Sequence, residues 1–185
     1  MTNNIRFHVS ESFYLKDPES SELGRKILKH GIHMIDELGF DEFTFRKLGM
    51  EIGSNEASIY RYFESKYKFF IFLSSWYWAW MEYSLILALT NVTSAEKRLE
   101  RAIALLSNEP KDNVNLEYFD LVRLSRVVNA EYSKSFLTKD VDIANKDGAF
   151  INYKQFVSRV SDIVKEINCK YKYPNMLIST VIEGI

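Results

Sequence analysis

One cysteine, three prolines and seven glycines among 185 residues set the first limits on this chain. A lone thiol, Cys169, excludes an internal disulfide and a cysteine-rich zinc site, and reads as a plain thiol near a helix end rather than a redox switch. So few turn-forming residues exclude a sandwich of many short strands and favour long helices. Histidine is scarce too: His8, His30 and His33. His30 and His33 stand three apart and share a helix face, but no Asp, Glu or Cys completes a ligand set, so no metal is expected. There is no glycine-rich phosphate loop and no nucleophile elbow, so neither an enzyme activity nor a cofactor is expected. No basic segment followed by an apolar run opens the sequence, so no signal peptide is expected. The longest apolar stretch, Phe69 to Trp80, is broken by Ser74 and Ser75 and is too short to span a bilayer. The expected setting is cytoplasmic, without a membrane partner.

What is present suits an all-α protein. Hydrophobic residues make up 46% and charged residues 26%, ordinary for a globular chain with a sizeable core. The formal net charge of −1 gives no strongly basic domain, so only modest non-specific affinity for nucleic acid is expected. Residues 1–19 read as an arm that begins with a short alternation, Ile5-Phe7-Val9, and packs through Phe13, Tyr14 and Leu15. A first helix follows from about Ser20 to Leu38 and stops at Gly39.

The densest information lies in Thr44 to Phe70. Thr44 suits an N-cap, and Leu48 and Ile52 repeat at helical spacing. Gly53 sits where a chain leaving a helix needs positive φ. Ser54 or Asn55 can cap a second helix, Glu56 to Tyr62, and Ser65 a third. Two helices around a tight glycine-containing turn make a helix-turn-helix, whose second helix enters the DNA major groove.

The run GSNEASIYRYFESK resembles the signature of the TetR family of transcription regulators, in the pattern Ile59-Tyr60-x-Tyr62-Phe63-x-x-Lys66. The likeness extends upstream through ILKHGIHMIDELGFDEFT and spans Gly24 to Leu73. It implies a helix-turn-helix domain at residues 20–65 and a helical effector-binding and dimerisation domain at residues 66–185. Tyr60, Tyr62 and Lys66 then face the DNA backbone, where a phenol donates to phosphate and a lysine at a helix start adds charge. Base reading falls to Asn55, Glu56, Ala57, Ser58 and Arg61. Thr44 and Arg46, at the start of the preceding helix, complete the DNA-contacting set. For Glu56 two readings stand side by side, a base contact and a residue that only favours the helix dipole.

The long helix from Lys66 carries the run SSWYWAWMEY, and its apolar surface is too wide for one packing partner. Trp76, Trp80 and Tyr83, with Phe119 and Arg123, are the candidate lining of an effector cavity; plain core packing is the competing reading. Further helices are expected from about Ser94 to Leu106, Leu116 to Ala130, Tyr132 to Leu137 and Ala149 to Asn168, with a last one opening at Tyr173-Pro174. Loops separate them at Ser107–Asn115 and Thr138–Gly148. The rows Phe156-Val160-Ile163-Ile167 and Tyr153-Val157-Val164, with Met176, Leu177, Val181 and Ile182, suggest a four-helix dimer interface. The resulting expectation is a one-component regulator, a repressor that binds operator DNA as a homodimer and is released by an unknown small molecule. The alternative is a helical ligand- or protein-binding module with a vestigial DNA-binding unit.

Overall fold

The computed structural model describes residues 7–110, 118–136 and 145–184, and every regular element among them is helical. Two short 3-10 turns, Glu11–Phe13 and Pro18–Ser20, lead into α1 (Glu22–Leu38), α2 (Phe45–Glu51), α3 (Glu56–Tyr60) and α4 (Lys66–Leu89). The body continues with α5 (Ala95–Ser107), α6 (Leu121–Phe136), α7 (Ile151–Ile167) and α8 (Pro174–Glu183). Five helices begin where a small polar side chain accepts a backbone amide of the first turn: Ser21, Thr44, Asn55, Ser65 and Ser94. Each such cap contributes about 1 kcal/mol. Pro174 occupies the first turn of α8, where its missing amide costs nothing.

Three boundaries differ from the sequence expectation. α3 ends at Tyr60 instead of Tyr62, because Tyr62 and Phe63 both enter the interior, and consecutive helical positions cannot share one face. α6 starts at Leu121, where Asp120 Oδ1 accepts the Arg123 amide at 3.0 Å. α6 also runs unbroken through Ala130–Tyr132. Glu131, which looked like a break, is buried and accepts the Phe40 amide at 3.1 Å. Ile5, Leu116 and Leu137, and the parts of the two expected loops at 111–115 and 138–144, lie outside the described residues.

α4 is the axis. Thirteen of its residues are buried, from Phe69 to Leu85, and they face every direction around the helix. A helix apolar all round must be covered all round. α5, α6 and α7 pack on it, and so does the first 3-10 turn. Its first turns also serve the N-terminal unit: Phe69 contacts Phe43, Phe45 and Phe63, with ring centroids 5.6, 6.3 and 5.0 Å away. α1 crosses here at Gly31, where a Cβ would lie 2.4 Å from Phe69 Cζ, so only glycine permits the approach. The two apolar rows of α7 are largely spent within the chain, with Phe156, Val160 and Val164 all buried. What α7 and α8 leave exposed is Ile151, Ile167, Tyr173, Met176 and Leu177.

α1 and α6 meet along a charged seam. Arg126 Nε and Nη2 donate to Asp36 Oδ1 and Oδ2 at 3.0 and 2.9 Å, and Arg123 Nη1 reaches Asp36 Oδ2 at 3.2 Å and Glu37 Oε1 at 3.1 Å. The Arg126 hydrogen bond holds the Asp36 carboxyl below its ordinary range, against the effect of burial. His33 Nε2 lies 3.7 Å from Asp120 Oδ2. Burial, then the Arg123 charge, hold the His33 imidazole below its ordinary 6.5, although Asp120 pulls the other way.

The sign of that shift fixes a pH dependence. Above pH 6.5 the imidazole is neutral in both states, and His33 contributes nothing. Below it the unfolded chain takes up the proton first, so folding stability falls. Urea midpoints measured from about pH 7.5 to about pH 5.5 should decline, and His33→Gln should flatten that decline. The loss from Asp36 belongs to a separate window, below the ordinary carboxylate value of 3.8.

Candidate nucleic-acid interface

α2 and α3 are joined by a turn that the backbone closes on itself. The Ile52 amide returns to Leu48 O at 3.0 Å, and the Ser54 amide to Gly49 O at 2.8 Å. Between them Gly53 adopts φ +66°, the left-handed conformation expected of it. Asn55 Oδ1 then accepts the Ser58 amide and the Ser58 hydroxyl, both at 2.8 Å, which starts α3 with its free amides facing outward.

α3 is anchored from beneath and open above. Ile59 and Phe63 are fully buried. Asn55, Ala57, Tyr60 and Arg61 are exposed, while Glu56 and Ser58 are half-buried. Thr44 and Arg46 are exposed at the start of α2, and the Tyr60 ring packs edge-on against Phe45 with centroids 5.1 Å apart. The start of α2 and the end of α3 thus adjoin. Thr44 Oγ1 is occupied as the α2 cap, and Glu56 lies in the first turn of α3, on the positive end of its dipole.

Two expected backbone contacts are placed differently. Lys66 is not a free cation beside the groove. Its ammonium donates to Phe40 O, Asp41 O and Phe43 O at 3.0, 2.9 and 3.1 Å and sits over the Phe40 ring. An ammonium has three donors, and all three are used on the α1–α2 turn. Tyr62 is 4% exposed. Its hydroxyl meets Ser21 Oγ at 2.8 Å and receives Lys16 Nζ at 3.3 Å. Burial raises the Tyr62 phenol, but the Ser21 and Lys16 hydrogen bonds together bring it below its ordinary value. The Lys16 contact joins residues 46 apart, beyond the reach of any local pattern.

The expected effector lining is brought together only in part, and other side chains fill it. Trp76 is stacked on Phe119 with centroids 3.8 Å apart, and Phe7 of the arm meets its ring edge-on at 5.0 Å. Tyr83 also contacts Phe7, at 5.7 Å. Trp80 is buried beside Tyr77. Arg123 belongs to the α1–α6 seam instead. An open groove of about 730 Å³ lies elsewhere, between α4, α5 and α7. Its apolar side includes Ile86, Leu89 and Val92, and its charges are paired as Glu82–Arg159 and Arg98–Glu166.

The Lys66 clamp has a measurable consequence. Removing the ammonium leaves three carbonyls of a tight turn without their donor. Lys66→Ala should therefore lower folding stability by about 1–3 kcal/mol in urea titration. If Lys66 served phosphate alone, the same substitution would leave the urea midpoint in place and lower the salt slope of DNA binding by about 1.

Residues 27–71 match the family described as bacterial regulatory proteins, tetR family. No curated protein matches the sequence. Among solved structures, the chain resembles the crystal structure of superantigen PfiT with a TM-score of 0.63, at 17% identity over 91% of this chain and 85% of that one. At such identity the likeness establishes a shared fold. Among the described residues no helix is long and apolar enough to cross a membrane. With its capped reading helix, its glycine turn and the family match over the same residues, the N-terminal unit of this chain is a TetR-family helix-turn-helix domain.

Proposed function

We propose that the chain is a one-component transcription regulator, a repressor that binds operator DNA through α3 and is released when a small molecule binds the helical body. The observation that carries this reading is the division of α3. Ile59 is buried, while Asn55, Ala57, Tyr60 and Arg61 form an outward face beside the exposed Thr44 and Arg46. With its Oδ1 spent on the α3 cap, Asn55 can still donate through Nδ2 to a base acceptor, the Ala57 methyl can meet the thymine methyl, and Arg61 can reach guanine or phosphate. Release by a ligand requires only that the ligand bind the non-reading state better.

Selection of duplexes from a random pool at low salt should return a consensus. Arg61→Ala should relax it at one position, at a cost of about 1–3 kcal/mol. A second reading, a helical binding module with a vestigial reader, is favoured by the internal use of Lys66 and Tyr62. Under that reading the pool returns no consensus.

We further propose a two-fold homodimer. One reader spans too few base pairs for useful specificity, and paired readers must sit about 34–36 Å apart or a multiple of it. The support lies in the apolar side chains that α7 and α8 leave in solvent: Ile167, Tyr173, Met176 and Leu177. Val160 is fully buried within the chain, so its substitution would report on folding rather than on pairing. Met176 is 63% exposed and is the better probe. Sedimentation equilibrium at micromolar concentration should give twice the chain mass. Met176→Asp with Leu177→Asp should shift it toward the single mass while the far-ultraviolet dichroism is unchanged. A single-chain mass for the unsubstituted protein would overturn the dimer.

A further inference from the structure

Most lysines around the reading unit are committed to the chain itself. Lys66 serves three carbonyls, and Lys47 serves the carbonyl and the carboxylate of Glu42. Lys68 donates to Ser12 O and pairs with Asp147, and Lys26 pairs with Glu22. Lys16 of the arm differs. It is exposed, and among the described residues its ammonium meets only neutral groups of Tyr62: the hydroxyl at 3.3 Å and the ring, whose centroid is 5.0 Å away. An ammonium has three donors, so two remain for another partner.

Lys16 is also held in place. The arm is anchored on both sides of it. Phe13 is buried in the core, and Pro18 lies so close to α1 that a Cβ at Gly24 would stand 2.1 Å from Pro18 O. Between these anchors the Leu15 amide donates to Tyr62 O at 2.7 Å, which clips the arm to the backbone two residues beyond the end of α3. The acidic neighbours of Lys16 are engaged elsewhere. Asp17 Oδ1 accepts the Glu19 amide, and Glu19 Oε2 accepts the Tyr118 hydroxyl, both at 2.8 Å.

We propose that Lys16 is a backbone-phosphate contact of the reading unit, in the outward position that Tyr62 was expected to fill. This rests on the reading of α3 as a DNA reader. Tyr62 is buried and the Lys16 ammonium stands over its ring, so the group presented to solvent there is a cation in place of a phenol. A charged donor binds a phosphate oxygen more strongly than a neutral hydroxyl does. Because the backbone that carries Lys16 is already fixed, little ordering opposes the contact. The exposed Arg61 adjoins the same phenol. Burial raises the Tyr62 pKa, and the Ser21 and Lys16 hydrogen bonds with the charges of Lys16 and Arg61 overcome that effect. Two cations at the exit of α3, neither paired with a carboxylate among the described residues, suit a duplex backbone with one charge per about 1.7 Å. Such contacts fix register and carry no sequence information. Lys16 lies outside residues 27–71, so the family match does not describe it.

The test is fluorescence anisotropy of the full chain on a random-sequence duplex pool, titrated from about 50 to about 200 mM salt. Lys16→Ala should reduce the slope of log affinity against log salt by about 0.9 for each bound chain. Lys16→Arg should restore the slope. Lys165→Ala, on α7 of the body, should leave it unchanged. The urea midpoint and the exchange rate of the Leu15 amide in Lys16→Ala should match those of the unsubstituted chain. An unchanged slope in Lys16→Ala, with duplex binding intact, would overturn the contact and leave the DNA reading standing. An unchanged slope with a lowered urea midpoint would make Lys16 a clip for the arm and would overturn it as well. So would an equal loss of slope in Lys165→Ala, which would report net charge alone. A chain that binds no duplex at low salt overturns the DNA reading and this contact with it.

Discussion

The burial of α4 on all of its sides governs the rest of the molecule. A helix of 24 residues with buried side chains facing every direction cannot stand at a surface. The chain covers it in sections. Phe43, Phe45 and Phe63 close on Phe69 at its start, and α5, α6 and α7 enclose its remaining length. The N-terminal arm supplies a last strip with Phe7, Val9 and Phe13. Reader and body are therefore not two cores joined by a linker. They share one set of aromatic side chains, and Phe69 belongs to the reader while Phe72 and Trp76 continue into the body.

On this shared core, polar contacts set the relative placement of the parts. The apolar contact between α1 and α4 needs Gly31. The seam between α1 and α6 adds directional bonds: Asp36 receives both nitrogens of the Arg126 fork, and the Phe40 amide donates to Glu131 of α6. A rotation of α6 against α1 breaks several such contacts together. These residues are the direct polar link between α6 and the N-terminal unit.

Much of this was legible in the sequence, and the reason is local chemistry. Ser65, Asn55 and Ser94 are caps whose preference is decided within a few residues, so the start of α4 could be read directly and those of α3 and α5 to within one residue, Ser54 or Asn55 and Thr93 or Ser94. Gly53 was legible because positive φ is nearly its monopoly. The all-round apolar surface of α4 signalled burial on several sides, but not by what. Periodicity cannot tell a cavity from a ring that fills it, and the filling ring is Phe7, about seventy residues away from Trp76. The role of Arg123 was misjudged for the same reason: its partners, Asp36 and Glu37, are distant in sequence. The break expected between Ala130 and Tyr132 does not occur, and Glu131 there accepts the amide of Phe40, 91 residues away in sequence.

Lys66 carries a consequence for how such sequences are interpreted. It is the last residue of the pattern by which the domain is recognised, and its ammonium is spent on the carbonyls of Phe40, Asp41 and Phe43. Selection for a folded chain alone is then enough to preserve it. A descendant that ceased to regulate any gene would keep this lysine, together with Ile59 and Phe63, for as long as it kept its shape. The signature is thus a record of ancestry and architecture, and the drift that follows a change of trade would first appear at Ala57 and Arg61, whose side chains are exposed.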